Sequence, residues 1–132
     1  MNLPSVILAD DDPTVLEAVS RMLLPDFEIV ATVRDGASLV AETRRLNPDV
    51  MIVDLFMPGL SGFEAIRELK KQHFEGRAIF LTLYDDSSFV EEARALGAMG
   101  YVLKSSADRD LLPAIREALQ GHFFQSPSLR NH

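Results

Sequence analysis

Residues 50–53, Val50-Met51-Ile52-Val53, are consecutive apolar residues rich in β-branched types, set between Asp49 and Asp54 and followed by Leu55-Phe56-Met57-Pro58-Gly59. A short run with no polar residue on either side of the pleat reads as a strand buried on both faces, as in the middle of a parallel sheet. Asp54 stands at its end. A carboxylate at the carboxyl end of a central strand in an open α/β sheet lies where that architecture places its ligands. Asp is also favoured simply where strands turn. This stretch alone leaves both readings open.

The remaining sequence supplies partners for such a strand. Ser5-Val6-Ile7-Leu8-Ala9 is a first strand that stops at Asp10-Asp11-Asp12. Asp12 before Pro13 suits a helix cap, and Val15, Val19, Met22 and Leu23 recur at helical spacing over residues 13–24. Residues 27–33 read as a second strand, and Asp35-Gly36 opens a helix with Leu39, Val40 and Leu46 that Asn47-Pro48 ends. Ser61 with Glu64 is a capping-box pattern for a third helix running to about His73, its apolar side carrying Phe63, Ile66 and Leu69. Residues 78–82 form the fourth strand, and Ser88 with Glu91 reads as the cap of a fourth helix bearing Val90, Ala93 and Leu96 as far as Gly97. Residues 100–104 are the fifth strand. The last helix begins between Ser106 and Asp110, carries Leu111, Leu112, Ile115 and Leu119, and stops at Gly121, with the later start favoured by Pro113.

Strands alternating with helices through short loops predict an α/β fold: a flavodoxin-like, doubly wound parallel sheet of five strands in order 2-1-3-4-5, with helices on both faces and right-handed crossovers. That order brings the ends of strands 1 and 3 together, so Asp10, Asp11 and Asp54 share one pocket. The length, 132 residues, suits one domain, and the absence of cysteine excludes a disulfide framework or thiolate metal site and makes a cytoplasmic protein the default. No apolar run reaches membrane-spanning length, and no signal peptide is evident at the N-terminus. A net charge of −7 is a poor match for nucleic acid, so no direct nucleic-acid binding by this segment is expected.

The motifs Ala9-Asp10-Asp11, the strand ending in Asp54, Met57-Pro58-Gly59 with Gly62, Thr82, and the strand ending Tyr101-Val102-Leu103-Lys104 stand in one order, each at or just beyond a strand's end. In this the chain resembles bacterial response-regulator receivers over about residues 5–121. Leu81-Thr82-Leu83-Tyr84-Asp85-Asp86 and Gly97-Ala98-Met99-Gly100-Tyr101 most resemble the NarL-type branch, whose members usually carry a helix-turn-helix DNA-binding domain after the receiver. The resemblance implies a receiver over residues 1–121, with 122–132 a tail or the start of a linker to an output domain, or else a stand-alone receiver. It also implies a signalling domain rather than an enzyme, phosphorylated by a sensor histidine kinase, with homodimerisation through helix 4, strand 5 and helix 5 or another helical face.

Physical chemistry agrees with that reading. Carboxylates crowded in one cleft repel each other and favour a divalent cation; hard oxygen ligands favour Mg²⁺. Asp54 can then act as nucleophile towards a phosphoryl group, with Lys104 supplying positive charge and the Thr82 hydroxyl a hydrogen bond. By resemblance, Asp11, Asp54 and the Phe56 main-chain carbonyl are direct metal ligands, Asp10 holds a metal-bound water, and Thr82 and Tyr101 are the switch pair. Each residue has a plainer role open to it: adjacent aspartates usually form a solvated turn, Asp12 caps a helix, Lys104 is a surface lysine, Thr82 fills a strand, and Tyr101 packs against Val90 or Ala93 in one rotamer. His73, His122 and His132 show no ligand spacing and receive no role.

Three residues depart from the usual receiver pattern. Ser105 replaces a proline common after the lysine, so the peptide before it is expected to be trans, because the cis form costs about 3–4 kcal/mol before a non-proline residue. Phe56 is apolar where polar side chains are frequent and is placed to shield an acyl phosphate, and Leu83 is bulky. Two rival functions fit less well. A Mg²⁺-dependent phosphohydrolase needs a second aspartate where Phe56 stands, and a flavin carrier needs a phosphate loop where this chain has three aspartates.

Overall fold

The computed structural model describes residues 2–127; His132 and the rest of 128–132 lie outside the described residues. The double burial demanded by residues 50–53 is met by splitting them between two cores. In β3 (Val50–Val53), Met51 and Val53 join one hydrophobic cluster and Val50 and Ile52 the other. Alternation across the pleat sends successive side chains to opposite faces, and each buried one contributes about 1.5–3 kcal/mol.

β3 lies between β1 (Ser5–Ala9) and β4 (Arg77–Thr82), with β2 (Glu28–Val33) outside β1 and β5 (Gly100–Leu103) outside β4. Every pairing is parallel, with Ala9 opposite Val53 and Thr82 opposite Leu103. One face is covered by α2 (Gly36–Leu46), α3 (Gly62–Lys71) and α4 (Ser87–Leu96), the other by α1 (Pro13–Leu23) and α5 (Ala107–Leu119). The flavodoxin-like order 2-1-3-4-5 is therefore present, extended by one strand.

That sixth strand, β6 (Phe124–Gln125), corrects the expectation of five. It pairs with β5 through Gly100 opposite Phe124 and Tyr101 opposite Gln125. Two residues without β-branching carry no periodicity to read, and the pairing depends wholly on the tertiary edge that β5 presents.

Helix starts follow local chemistry. The Asp12 carboxylate accepts the Thr14 N–H at 2.9 Å with Pro13 at the first helical position, and Ser61 and Glu64 form the reciprocal capping box. The cap expected at Ser88 is instead Asp86, whose Oδ1 accepts the Ser88 N–H at 2.8 Å and the Ser88 hydroxyl at 2.6 Å. A carboxylate is the stronger acceptor, so Ser88 serves as donor inside the first turn.

The favoured late start of α5 is also corrected. The helix begins at Ala107 behind a 3-10 turn over Lys104–Ser106, which truncates the strand expected to reach Lys104. Pro113 thus lies in the second turn, and the carbonyl of exposed Arg109 that loses its helical partner can bond water. The buried stripe of α5 is Leu111, Ala114, Ile115 and Ala118, with Leu112 and Leu119 only partly buried at its margin. Small residues bring this helix close to the sheet, which weighting by size alone does not reveal.

The bonds from the Ser88 side chain and N–H hold the Asp86 carboxyl below its ordinary value of 3.8. A depressed folded value contributes stability that is present above 3.8 and is lost as pH falls through the folded value. Asp86→Ala should therefore melt below wild type at pH 7, the gap closing in acid, while Glu91→Ala melts like wild type at both ends. Thermal unfolding across pH 2–7 checks both, and a loss confined to Glu91→Ala would restore the Ser88 cap.

Candidate phosphoacceptor site

Asp54 is the first residue past β3, and its N–H donates to the Ala9 carbonyl at 2.9 Å, continuing the ladder and tying it to the end of β1. Gly62 sits directly behind. A Cβ there would lie 2.2 Å from the Asp54 carbonyl oxygen, so only glycine lets the start of α3 approach this closely. On the β1 side, Asp10 Oδ1 accepts the Asp12 N–H at 2.9 Å, turning the chain into α1 and aligning the Asp10 carboxylate with the sheet end.

The sheet order brings the predicted carboxylates together: one oxygen from each of Asp10, Asp11 and Asp54 lies within 4.8 Å of the others. Asp10 and Asp54 are buried and Asp11 is exposed at the mouth. Lys104, carried in by the turn after β5, places Nζ 2.8 Å from Asp10 Oδ2 and 3.4 Å from Asp54 Oδ2. Its peptide to Ser105 is trans, since among the described residues the cis bond is Leu24–Pro25.

The charges in this pocket perturb one another. Burial pushes the Asp54 carboxyl above its ordinary 3.8; Lys104 opposes the rise and the Asp10 charge adds to it. Burial alone would lower the Lys104 ammonium, but its contacts with Asp10 and Asp54 outweigh that and leave it above 10.5. One ammonium thus faces three carboxylates. The closer of its two contacts, 2.8 Å, goes to the buried Asp10 Oδ2, so Asp54 receives the smaller share of the only ammonium in this cluster of described residues. Three carboxylate oxygens within 4.8 Å of one another, served by one ammonium, are a hard and under-neutralised set that fits Mg²⁺.

Thr82 ends β4, the strand next to β3, and Tyr101 lies on β5 beyond it. Thr82 is fully buried at the end of β4, where Oγ1 accepts the Tyr84 N–H at 3.2 Å. Tyr101 is also fully buried, on the α4 side, and its hydroxyl donates to the Tyr84 carbonyl at 2.6 Å. Burial, then the charges of Asp86 and Asp85, raise its phenol well above 10. The Phe56 ring is half exposed and packs edge-on against Tyr84 and Phe89, with centroids at 4.9 and 5.9 Å. Phe56 itself holds the position two after Asp54 where a phosphohydrolase would need a second catalytic carboxylate.

Two contributors escaped the sequence reading. Arg34, just after β2, donates from Nη2 to the Asp11 carbonyl at 3.0 Å and steadies the loop that carries Asp11; a lone exposed arginine gives no sequence signal. Tyr84 was legible only as an aromatic two residues after Thr82. His73 and His122 are exposed, His122 paired with Glu117 at 2.8 Å, and neither reaches the site.

Fold and pocket together define a small doubly wound α/β signalling domain built around an acidic cluster at the switch point of its sheet. The chain belongs to the response regulator receiver domain family, whose model matches residues 6–116. It is a receiver of the LuxR-type regulators. The transcriptional regulatory protein DegU of Brevibacillus brevis is 32% identical over 133 residues, covering 99% of this chain and 56% of that protein. The oxygen regulatory protein NreC of Staphylococcus haemolyticus is 35% identical over 122 residues, covering 90% and 56%. The chain thus spans little more than half the length of these relatives. A LuxR-family two-component response regulator from Aurantimonas sp. SI85-9A1 superposes with a TM-score of 0.92 at 32% identity, covering 98% of this chain and 94% of that one. The isolated receiver of RcsB from Salmonella enterica serovar Typhimurium, solved with a beryllofluoride phosphomimetic, superposes at 0.89 with 29% identity, covering 98% of each. Among the described residues no helix is long and apolar enough to cross a membrane.

A carboxyl whose folded value is raised above 3.8 has no effect on stability well below 3.8, lowers it increasingly as pH rises past 3.8, and does so in full above the folded value. Without divalent metal, Asp54→Asn should therefore melt above wild type at pH 7, and the gain should vanish as pH falls well below 3.8. Scanning calorimetry in chelator tests this; a variant less stable than wild type at pH 7 would mean that Lys104 fully offsets the burial of Asp54.

Proposed function

We propose that the chain accepts a phosphoryl group on Asp54 from a sensor histidine kinase and passes the resulting change to an output partner. The carrying observation is the pocket itself: Asp54, buried at the end of β3, lies 3.4 Å from Lys104 and shares a 4.8 Å cluster with Asp10 and Asp11. An Asp54 oxygen attacks phosphorus, the bond from phosphorus to the kinase imidazole breaks, and the imidazole keeps that electron pair. Lys104 stands ready to follow the phosphoryl oxygens, and the Thr82 hydroxyl, accepting from Tyr84, still has its proton to donate. Asp11, Asp54 and the Phe56 carbonyl would hold Mg²⁺, with Asp10 holding one of its waters. When bound, the ion would offset charge on the transferred oxygens.

The proposal extends to the protein as a whole. The receiver unit, expected over residues 1–121, takes in β6 and Ser126 as well, and the chain beyond them leads towards a DNA-binding output domain, so that the regulator acts on transcription in the cytoplasm; a stand-alone receiver in a phosphorelay is the alternative. The α4, β5 and α5 surface is the proposed homodimer face. Tyr101 and Thr82 are the proposed switch pair that reshapes it, by making one arrangement bind the phosphoryl group more tightly than the other.

Incubation with a small phosphodonor and Mg²⁺ should yield one covalent adduct, located on Asp54 by mass spectrometry, with none on Asp54→Asn. An adduct that persists in the variant moves the acceptor elsewhere, and turnover of phosphate esters without a stable adduct favours a hydrolase.

Metal affinity separates the adjacent acids. Asp11→Ala should weaken Mg²⁺ binding in calorimetric titration by an order of magnitude or more, by loss of a charged ligand. Asp12→Ala should leave it unchanged and cost about 1 kcal/mol of stability through the lost cap. Equal affinities in the two variants would assign the wrong pair to the metal.

A further inference from the structure

Lys104 reaches the acid pocket from a short 3-10 turn, and the preceding strand ends one residue earlier, at Leu103. The Lys104–Ser105 peptide is trans and no proline ring restrains residue 105, so something else must hold this turn. The structure places Ser126 there. Beyond β6 the chain leaves the ladder, with the Ser126 N–H donating to the Tyr101 carbonyl at 3.0 Å. The next donor along β5, the Leu103 N–H, then meets no strand carbonyl and gives its hydrogen to Ser126 Oγ at 3.0 Å. Ser126 Oγ also lies 3.4 Å from Ser106 Oγ, which in turn donates to the Leu103 carbonyl at 3.4 Å. Ser126 is fully buried and Ser106 nearly so.

The residue before Lys104 and the last residue of its turn are thus tied to one buried hydroxyl. On its other side Leu103 is held by β4 opposite Thr82. We infer that Ser126 is a positioning residue for Lys104: its hydroxyl replaces a missing strand and fixes the turn that aims the ammonium between Asp10 and Asp54. The inference rests on the phosphoacceptor reading. Lysine is a point charge on a flexible stem, so the origin of that stem decides where the charge spends its time. Loss of the hydroxyl leaves a buried N–H without a partner and lets the turn move to find one. The carboxylates sit on β1 and β3, away from this edge, so metal binding should be spared while phosphoryl transfer suffers.

The test compares wild type, Ser126→Ala, Ser126→Thr and, as a control for losing a buried hydroxyl elsewhere, Thr43→Val, whose Oγ1 bonds Met51 Sδ at 3.6 Å. Acetyl phosphate with Mg²⁺ gives the initial rate of adduct formation by mass spectrometry, and calorimetry gives the Mg²⁺ affinity. Ser126→Ala should slow adduct formation on the order of tenfold, as expected for a misplaced charged group, with Mg²⁺ affinity within about twofold of wild type. Ser126→Thr should recover the rate, and Thr43→Val should match wild type. A wild-type rate in Ser126→Ala, equal slowing in Thr43→Val, or a parallel loss of Mg²⁺ affinity each overturns the inference. Absence of an adduct on the wild-type protein would instead sink the phosphoacceptor reading. The position of Lys104 is read directly from the dispersion of its Hε and Cε NMR signals. That dispersion should collapse towards random-coil values in Ser126→Ala, and its persistence there would overturn the assignment of Ser126.

Discussion

A carboxylate buried at the end of a central strand needs positive charge nearby, and the organisation of this domain follows from how little it receives. Asp54 faces Lys104 at 3.4 Å, but the same ammonium stands closer, 2.8 Å, to Asp10. One monovalent cation divided between buried acids, with Asp11 at the mouth, leaves the pocket short of positive charge. Removing hydration raises the cost of every uncompensated charge. Such a pocket suits a small divalent cation, and keeping its carboxylates together costs free energy that packing elsewhere in the fold offsets.

The fold covers it by rigidity around β3. Met51 and Val53 on one face and Val50 and Ile52 on the other anchor this strand in both cores, so Asp54 cannot retreat to solvent without pulling a strand buried on both faces. Gly62 presses the start of α3 against the Asp54 backbone from behind, and the Ala9 carbonyl holds its N–H in front. Placement of the acceptor is thus a property of packing, whereas placement of Lys104 rests on a few hydrogen bonds at a sheet edge. Packed positions resist small perturbations, and edges respond to them.

The same contrast explains how much was legible in the sequence. The acceptor strand, the layers, the strand order and the acidic cluster were readable because each follows from runs of apolar residues, from Asp and Pro at helix starts, or from topology that leaves few choices. What was missed lies where a local signal is absent or two compete. β6 has only Phe124 and Gln125 and exists because β5 offers an open edge. Asp86 and Ser88 could each cap α4, and the charge of the carboxylate decided between them. The start of α5 turned on how Lys104–Ser106 folds, a 3-10 turn that no apolar period announces. The side-chain hydrogen bonds of Arg34 to Asp11 and of Ser126 to Leu103 each span 23 positions of sequence, a separation at which pattern carries no information.

Thr82, Tyr84 and Tyr101 form one hydrogen-bonded series that joins the end of β4 to the buried phenol of β5. The Tyr84 N–H donates to Thr82 Oγ1, and the Tyr84 carbonyl accepts from the Tyr101 hydroxyl, so one residue carries both bonds. A hydroxyl that accepts one hydrogen bond becomes a better donor of its own proton, because neighbouring bonds in a chain polarise each other. In the proposed reaction the Thr82 proton would point to a phosphoryl oxygen while Oγ1 keeps its bond from Tyr84. The buried orientation of Tyr101 and a phosphorylated Asp54 are then mutually supportive rather than merely compatible, since Tyr101 fixes Tyr84 where its N–H can polarise Thr82. By linkage the support would run both ways: whatever strengthens the hold of Thr82 on a phosphoryl group would also favour the buried orientation that Tyr101 has here. The edge-on rings of Phe56 and Phe89 close around Tyr84 and make that position costly to leave, so in the proposed switch the α4 face would respond through a hydrogen-bonded residue clamped by aromatic packing.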